Sequence, residues 1–483
     1  MEAKDLIGGS IFFAATLFGA VVTCFSFRAR GVAFFLMIAL AAISYKLDVN
    51  FQSQYWYRGT TRGLEFSLVD ILAWSVLVSS LLFPPAGAKR WFWPGGLVLM
   101  LLFFSYACVN VAFSDPRIYG VFELSKMLRG ILVFLAAALF VRTERELAIL
   151  VFALCCAICL EGAVALKQRL LDGVYRVPGT IDDPNSFSMY LCTVAPVFVA
   201  AATSTLPKWL RWFSVASLGA ASVSIVLTIS RAGIPIFALV VLGAAIFCMS
   251  WRITLKKIGA TALIGLCLAG LLYKSWDLLK YRYTNDSLES EYLDANKFES
   301  RGYFLRLAKV IADDRFFGVG LNNWSYWVSK KYGVQLGTPY EDYDDLTYAP
   351  SKLLLPSFHY AAPAHNLGAL VVGELGVPGL VLFALVWLRW LQMGASFLRP
   401  RTPDAMRRIG VGIFFGACGT FLQSLTEWVF RQPHIFLTLH AMLGALASLY
   451  WIKRKAYLPN FESQPTVEAI PEFTDYEIEP VGI

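Results

Sequence analysis

Long apolar runs alternate with short polar stretches along most of the chain. A run of roughly 20 apolar residues is the length that an α-helix needs to cross the hydrocarbon core of a bilayer. The pattern predicts an all-α polytopic membrane protein of about 12–13 transmembrane helices. Twelve is the alternative to thirteen because the first run and the stretch 115–166 divide less clearly. The thirteen spans are predicted near 7–26, 31–47, 68–84, 95–114, 126–141, 147–166, 187–204, 212–229, 233–250, 258–274, 364–388, 409–426 and 433–450.

Basic residues concentrate in the short connections on one side of the predicted membrane, which the positive-inside rule makes the cytoplasmic side. The clusters include Arg28 with Arg30 and Lys453 to Lys455. The sequence then divides into an N-terminal transmembrane bundle and a large periplasmic loop, followed by C-terminal transmembrane helices and a disordered acidic tail in the cytoplasm. The four segments are 1–274, 275–362, 363–452 and 453–483.

The composition fits a membrane protein, with 57% hydrophobic and 16% charged residues against about 25% charged in soluble domains. The net charge of +8 is read as a marker of topology, because no basic stretch resembles a nucleic-acid surface. All nine cysteines lie in apolar runs, where thiols act as small hydrophobes, so neither a disulfide nor a cysteine-metal site is expected. The first apolar run is expected to be a retained span, because it lacks the cleavage site of a signal peptide.

Four histidines are present, and their spacing does not place two of them on one helical face as a zinc site would need. His365 opens a span at the predicted outer mouth, where a neutral imidazole can act as a base on a substrate from outside. The alternative is an ordinary histidine at the membrane interface. His434 and His440 lie within the last span and are interpreted as packing or interhelical hydrogen-bonding groups.

Two arginines are candidates for binding an anion. Arg231 lies where one apolar run passes into the next, and a guanidinium that faces lipid at the bilayer centre costs at least about 2.5 kcal/mol. The planar guanidinium group can bind a phosphate through two parallel hydrogen bonds, although an arginine that snorkels to the interface is the alternative. Arg301 opens a helical stretch of the outer loop, and by position alone it is more often a solvated charge.

Glu427 and Arg431 are spaced i,i+4 and are expected to pair with each other as structural support.

Two asparagines lie at predicted helix starts. The segment from Pro178 to Asn185 has turn chemistry before a span, so Asn185 is expected to cap that helix and is also a candidate substrate contact. Asn366 follows the candidate base His365 directly, and it is a second candidate substrate contact.

The order of these motifs resembles the O-antigen ligase and polymerase superfamily of bacterial membrane glycosyltransferases. The pair His365-Asn366, separated by nine residues from Gly376-Val377-Pro378-Gly379, is similar to the ligase pattern of a histidine, a small polar residue, nine positions and a Gly-x-x-Gly end. The turn 178–185, the corner 230–233, and the stretch from Arg301 to Gly318-Val319-Gly320 also resemble family features. The resemblance covers about 175 to 380, and the first 150 residues add only hydropathy.

The resemblance implies a bundle of the GT-C type in the bacterial inner membrane, with its active site facing the periplasm. The implied reaction moves a glycan from undecaprenyl pyrophosphate to a sugar hydroxyl without a cofactor or a metal. His365 would take the proton of the acceptor, and Arg231 and Arg301 would bind the pyrophosphate. The aromatic residue that the family has soon after the loop arginine is less clearly placed here, with Phe304 the nearest candidate.

Ligase and polymerase differ only in the acceptor, which is lipid A-core for the first and a growing glycan for the second, and the sequence does not separate them. The partners expected are therefore the lipid-linked donor, one of these acceptors, and membrane lipid. A transporter of lipid-linked oligosaccharides would also bind pyrophosphate with arginines, but it would need no outer base. A non-catalytic assembly subunit is the third alternative, and it requires that His365 be dispensable.

Overall fold

The computed structural model describes residues 3–43, 48–54, 56–84, 89–181, 183–249, 300–338, 340, 360–399 and 402–457, with isolated helical positions at 273, 280 and 284. Most of these residues are helical. The longer helices are α1 (Ala3–Phe25), α2 (Phe27–Ala41), α3 (Leu68–Leu82), α4 (Leu97–Ala112), α5 (Arg117–Phe140), α6 (Glu144–Leu170), α7 (Pro184–Thr203), α8 (Lys208–Thr228), α9 (Gly233–Cys248), α10 (Arg301–Asp314), α11 (Leu367–Ala395), α12 (Ala405–Ser424) and α13 (Pro433–Tyr457).

Short elements fill some of the connections. Strand β1 (Asp48–Phe51) pairs antiparallel with β2 (Leu64–Ser67), with Asp48 opposite Ser67. The chain after α10 forms consecutive helical turns at Trp324–Trp327, Val328–Tyr332 and Gly333–Gln335, of which the middle one is π-helical. A single 3₁₀ turn, Val429–Arg431, lies between α12 and α13.

Seven of the described helices are long and apolar enough to cross a membrane, namely α1, α6, α7, α8, α11, α12 and α13. Helices α3, α4 and α9 are apolar but shorter. The protein is thus an all-α polytopic membrane protein, as the hydropathy predicts. Each predicted span falls on a helix except 258–274, of which the structure describes only position 273. Of the predicted periplasmic loop, the structure describes 300–338, 340, 360–362 and the isolated positions 280 and 284.

Both basic clusters named from the sequence above lie inside helices. Only Ser26 separates α1 from α2, so Arg28 and Arg30 belong to α2. Arg30 is buried and donates from Nη1 to the carbonyl of Phe83 at 2.7 Å, because a guanidinium inside a bundle needs an acceptor. Helix α13 continues to Tyr457, so Lys453 is also helical and the predicted tail beyond Tyr457 lies outside the described residues.

The centre of the bundle is α7, which packs most closely against α12. Small residues allow this close approach: a Cβ added at Gly416 of α12 would lie 2.1 Å from the carbonyl oxygen of Thr193 in α7. The hydroxyls of Thr193 and Thr420 are 2.6 Å apart across the same contact. Small side chains and interhelical hydrogen bonds are what hold membrane helices together, because the lipid offers no hydrophobic driving force between them.

Helix α11 is broken at Gly376, whose backbone has φ +68°. The break leaves the carbonyls of Gly373 and Glu374 to accept hydrogen bonds from the amides of Val319 and Gly320, each at 2.9 Å. The amide of Val377 donates to the carbonyl of Phe316 at 3.1 Å. The segment 316–320 thereby satisfies the backbone groups that the break exposes, as irregular backbone inside a membrane protein requires.

The break also turns the start of α11 back toward α12. The side-chain Nδ2 of Asn366 donates to the carbonyl of Leu425 at 2.7 Å, and the ring of Trp387 lies 5.4 Å from that of Phe421. Residues 421 and 425 are about 6 Å apart along a helix, whereas 366 and 387 would be about 31 Å apart in a straight one. Because both contacts form, α11 is bent, and the bend carries residues 365 and 366 to the end of α12.

Candidate functional site

His365 and Glu427 form the centre of the candidate site. The imidazole Nδ1 of His365 lies 2.7 Å from Oε2 of Glu427. Glu427 is buried, whereas 37% of the His365 side chain is exposed. A carboxylate at Nδ1 fixes the tautomer in which Nδ1 carries the proton and Nε2 is the basic nitrogen. The arrangement is one in which a histidine can accept a proton from a hydroxyl group.

Arg301 binds the same carboxylate from the other side. Its Nη2 lies 2.9 Å from Oε1 of Glu427, and its Nε donates to the carbonyl of Thr426 at 2.9 Å. Ser300 caps α10 by accepting from the amide of Tyr303, which places Arg301 in the first turn. One turn further, the ring of Phe304 lies 5.6 Å from that of His365. The structure thus brings together the predicted base, one predicted anion-binding arginine and the aromatic residue beside it.

Asn185 extends this cluster toward α7. Its Nδ2 donates to Oε1 of Glu427 at 3.1 Å, and its Oδ1 accepts from Nη2 of Arg176 at 2.8 Å. The prediction that Asn185 caps α7 is wrong. Asp183 is the cap, accepting from the amide of Ser186 at 2.7 Å, because Pro184 occupies the first helical position and leaves Asn185 inside the helix.

Arg231 lies in the corner between α8 and α9, where Ile229 has φ +50°. The hydroxyl of the neighbouring Ser230 accepts a hydrogen bond, at 3.3 Å, from the hydroxyl of Ser188, which lies in the first turns of α7. Gln423 near the end of α12 also donates to Ser188. These contacts bring the half-buried Arg231 to the end of the bundle that holds Asn185 and Glu427.

Asn366 holds the backbone around the site. Its Oδ1 accepts from the amide of Ala369 at 2.9 Å and so caps α11, while its Nδ2 donates to the carbonyl of Leu425. Both ends of its side chain therefore have partners within the protein. This geometry fixes the neighbouring His365 relative to the segment that carries Glu427.

The predicted pairing of Glu427 with Arg431 is wrong. Helix α12 ends at Ser424, so the two residues are not one helical turn apart as an i,i+4 pair would be. Arg431 instead binds Glu374 of α11, with 2.5 Å between Nη1 and Oε2, and its Nε is 4.0 Å from Glu123 of α5. Sequence reasoning named Glu427 only as structural support and did not place it in the site, although an acid in an apolar stretch beside a span was the signal available.

A second cluster of buried charges lies around Glu123. Lys126 is 2.8 Å from Glu123 on the same helix and donates to the hydroxyl of Thr61 at 2.7 Å. Glu374 and Arg431 complete the cluster, and all four charged side chains are nearly inaccessible to solvent. Two acids and two bases balance each other, which is the condition under which charges persist in a low-dielectric interior. Sequence reasoning did not single out Glu123, Lys126 or Glu374.

Other predicted groups lie apart from this site. His440 is buried and packs on Phe436 and edge-on to Trp390, as expected for a packing group. The eight cysteines within the described chain are free thiols. In the same residues, no three His, Cys, Asp or Glu side chains converge in a way that could hold a metal ion.

Comparisons with known proteins leave the site to be interpreted from its own geometry. No protein-family model matches the chain, and no curated protein matches it either.

Proposed function

We propose that the protein is a membrane glycosyltransferase of the O-antigen ligase type. It would move a glycan from undecaprenyl pyrophosphate to a sugar hydroxyl of lipid A-core. The observation that carries the proposal is the shared carboxylate of Glu427, which joins a histidine and an arginine at one end of the bundle. A base beside a fixed cation is what a transfer from a pyrophosphate to a hydroxyl needs.

In the proposed mechanism, Nε2 of His365 accepts the proton of the acceptor hydroxyl as its oxygen attacks the anomeric carbon of the glycan. The bond between that carbon and the pyrophosphate oxygen breaks, and the electron pair leaves with the pyrophosphate. Glu427 stabilises the imidazolium that forms. Arg231 and Arg301 compensate the charge of the leaving group, because guanidinium groups bind phosphate oxygens bidentately.

The chain would cross the bacterial inner membrane 12 or 13 times, with residues 275–362 as a periplasmic loop over the site. The end of the bundle that carries His365 would then face the periplasm. This orientation follows the positive-inside rule and matches the location of lipid-linked glycans after their export.

The test is transfer by the purified full-length chain in detergent or nanodiscs. A synthetic undecaprenyl-pyrophosphate glycan is supplied with lipid A-core or with more donor, and the products are identified by mass. Glycosylated lipid A-core supports a ligase, and lengthened donor supports the polymerase of the same superfamily. Absence of any product, together with passage of the donor across proteoliposomes, would favour the transporter.

A further inference from the structure

A pocket lies between the C-terminal end of α4 and the segment that follows α10. Its walls include Tyr106, Asn110, Phe113, Arg315, Phe317 and Gly318. Asn110 holds the two walls together, since its Nδ2 donates to the carbonyl of Phe317 and its Oδ1 accepts from the amide of Leu321, both at 2.9 Å. These two hydrogen bonds fix the walls of the pocket relative to each other.

Arg315 supplies the charge of this pocket. Its guanidinium stacks 4.2 Å from the ring centroid of Trp327, and within the described chain no carboxylate lies within 4 Å of it. The neighbouring Asp314 binds Lys331 at 2.7 Å and Tyr332 at 2.6 Å. These two hydrogen bonds hold the pKa of Asp314 below its usual value. A guanidinium oriented by an aromatic ring and lacking a bound carboxylate is suited to an external anion.

The rim of the pocket is strongly apolar. Phe113 is 88% exposed and Phe317 is 63% exposed, although both are large hydrophobic side chains. They lie at one end of the apolar helix α4, the position where aromatic residues meet the boundary between hydrocarbon and water. A cation beside exposed aromatic side chains matches a ligand with a negative head group and hydrocarbon chains.

We propose that this pocket binds one anionic phospholipid, with the phosphate on Arg315 and the acyl chains against Phe113 and Phe317. The occupant would also contact the segment that pairs with the break in α11, because Phe317 and Gly318 line the pocket. The inference does not rest on the proposed glycosyltransferase function. The residues that line the pocket include none of the His365 cluster.

The experiment is native mass spectrometry of the full-length chain with phosphatidylglycerol or phosphatidylcholine added at equal concentration. We expect the wild type to retain one phosphatidylglycerol in preference to phosphatidylcholine. Arg315→Gln should weaken that binding at least about tenfold, the loss expected for a charge-assisted hydrogen bond. The matched control is Arg62→Gln, which removes an exposed arginine from the connection between β1 and β2 and should leave the preference unchanged.

Two results would overturn the inference. One is equal retention of the two lipids by the wild type, and the other is an unchanged preference in Arg315→Gln. Arg315→Lys provides the measurement if the first variant unfolds: lysine keeps the charge but loses the planar fork, so the variant should still prefer phosphatidylglycerol but bind it more weakly than the wild type does. Displacement of the lipid by millimolar glycerol phosphate would show that the head group alone is sufficient and would contradict the role of Phe113 and Phe317.

Discussion

Glu427 uses its two carboxylate oxygens for different partners, so one side chain connects His365 to Arg301. Oε2 contacts His365, while Oε1 receives Arg301 and Asn185. One buried carboxylate thereby sets the orientation of the imidazole and compensates the charge of the guanidinium. Three segments that are distant in sequence depend on this single side chain, so its removal affects the whole site.

His365→Ala should abolish glycan transfer while the protein remains in the membrane at the wild-type level. The loss of a general base lowers turnover by roughly 10²–10⁴-fold. The measurement is product formation by the purified variant, with Arg306→Ala on the exposed face of α10 as a control of normal activity. Transfer close to that of the wild type in His365→Ala would remove the histidine from the mechanism.

Glu427→Gln should also lower turnover by roughly 10²–10⁴-fold, because the amide keeps the size of the side chain but loses the charge that stabilises the imidazolium. The effect should appear mainly in kcat for the acceptor. Glu144→Gln, an exposed acid at the first turn of α6, is the matched control and should behave as the wild type. A change confined to KM would mean that Glu427 acts in binding alone.

Arg231 and Arg301 should act together on the pyrophosphate. Replacement of either by lysine keeps the charge but loses the planar fork, so use of the donor should fall substantially. The double alanine variant should lose less than the sum of the single variants, because residues that act on one group are not additive. Arg306→Lys on α10 is the control. Unchanged donor binding in both single alanine variants, or complete inhibition by EDTA, would contradict joint binding of the pyrophosphate by the two arginines.

At the scale of elements, the break in α11 determines where His365 lies. The glycine at 376 has a left-handed backbone, and a Cβ there would lie 2.1 Å from the carbonyl oxygen of Phe316. A straight helix would carry His365 away from α12. The position of His365 therefore depends on a backbone feature eleven residues further along the chain.

Gly376→Ala should destabilise the protein by at least about 1–3 kcal/mol and impair transfer, because the side chain is strained in this backbone region and also meets the segment 316–320. Gly219→Ala in the middle of α8 is the matched control, since a Cβ there meets nothing within 4 Å. That substitution should be neutral or stabilising by about 0.5–1 kcal/mol. The measurement is the unfolding temperature of both variants in one detergent, and equal temperatures would show that the break tolerates a side chain.

The ion pair of Glu374 and Arg431 fastens the first half of α11 to the segment after α12. Arg431→Met alone should cost about 3–5 kcal/mol, because it leaves a buried carboxylate without its partner. The double variant with Glu374→Leu should recover part of that stability. A double-mutant cycle of unfolding free energies measures the coupling, and additive effects would show that the two side chains do not act as a pair.

At the scale of the whole molecule, hydropathy predicts the helices well, because long apolar runs have few alternatives in a membrane. His365, Arg301 and Asn185 were also named from the sequence, since each lies at or just before the start of a predicted helix. The partners of Glu427 and Glu374 could not be assigned in the same way, because they lie on segments that only the tertiary fold brings together. The i,i+4 spacing suggested the wrong partner for Glu427. Glu123 has Lys126 one turn away on its own helix, but its contact with Arg431 also depends on the tertiary fold.

The pairing of Glu123 with Lys126 has a consequence for the order in which the chain is made. The two charges are one turn apart on α5, so this helix can enter the bilayer with its charge compensated as soon as it emerges. Arg431 joins the cluster much later. At a synthesis rate of about 5–20 residues per second, the interval is on the order of 15–60 s. Lys126 is thus the counter-ion of Glu123 on the early helix before the last helices arrive, and it keeps that contact in the folded protein.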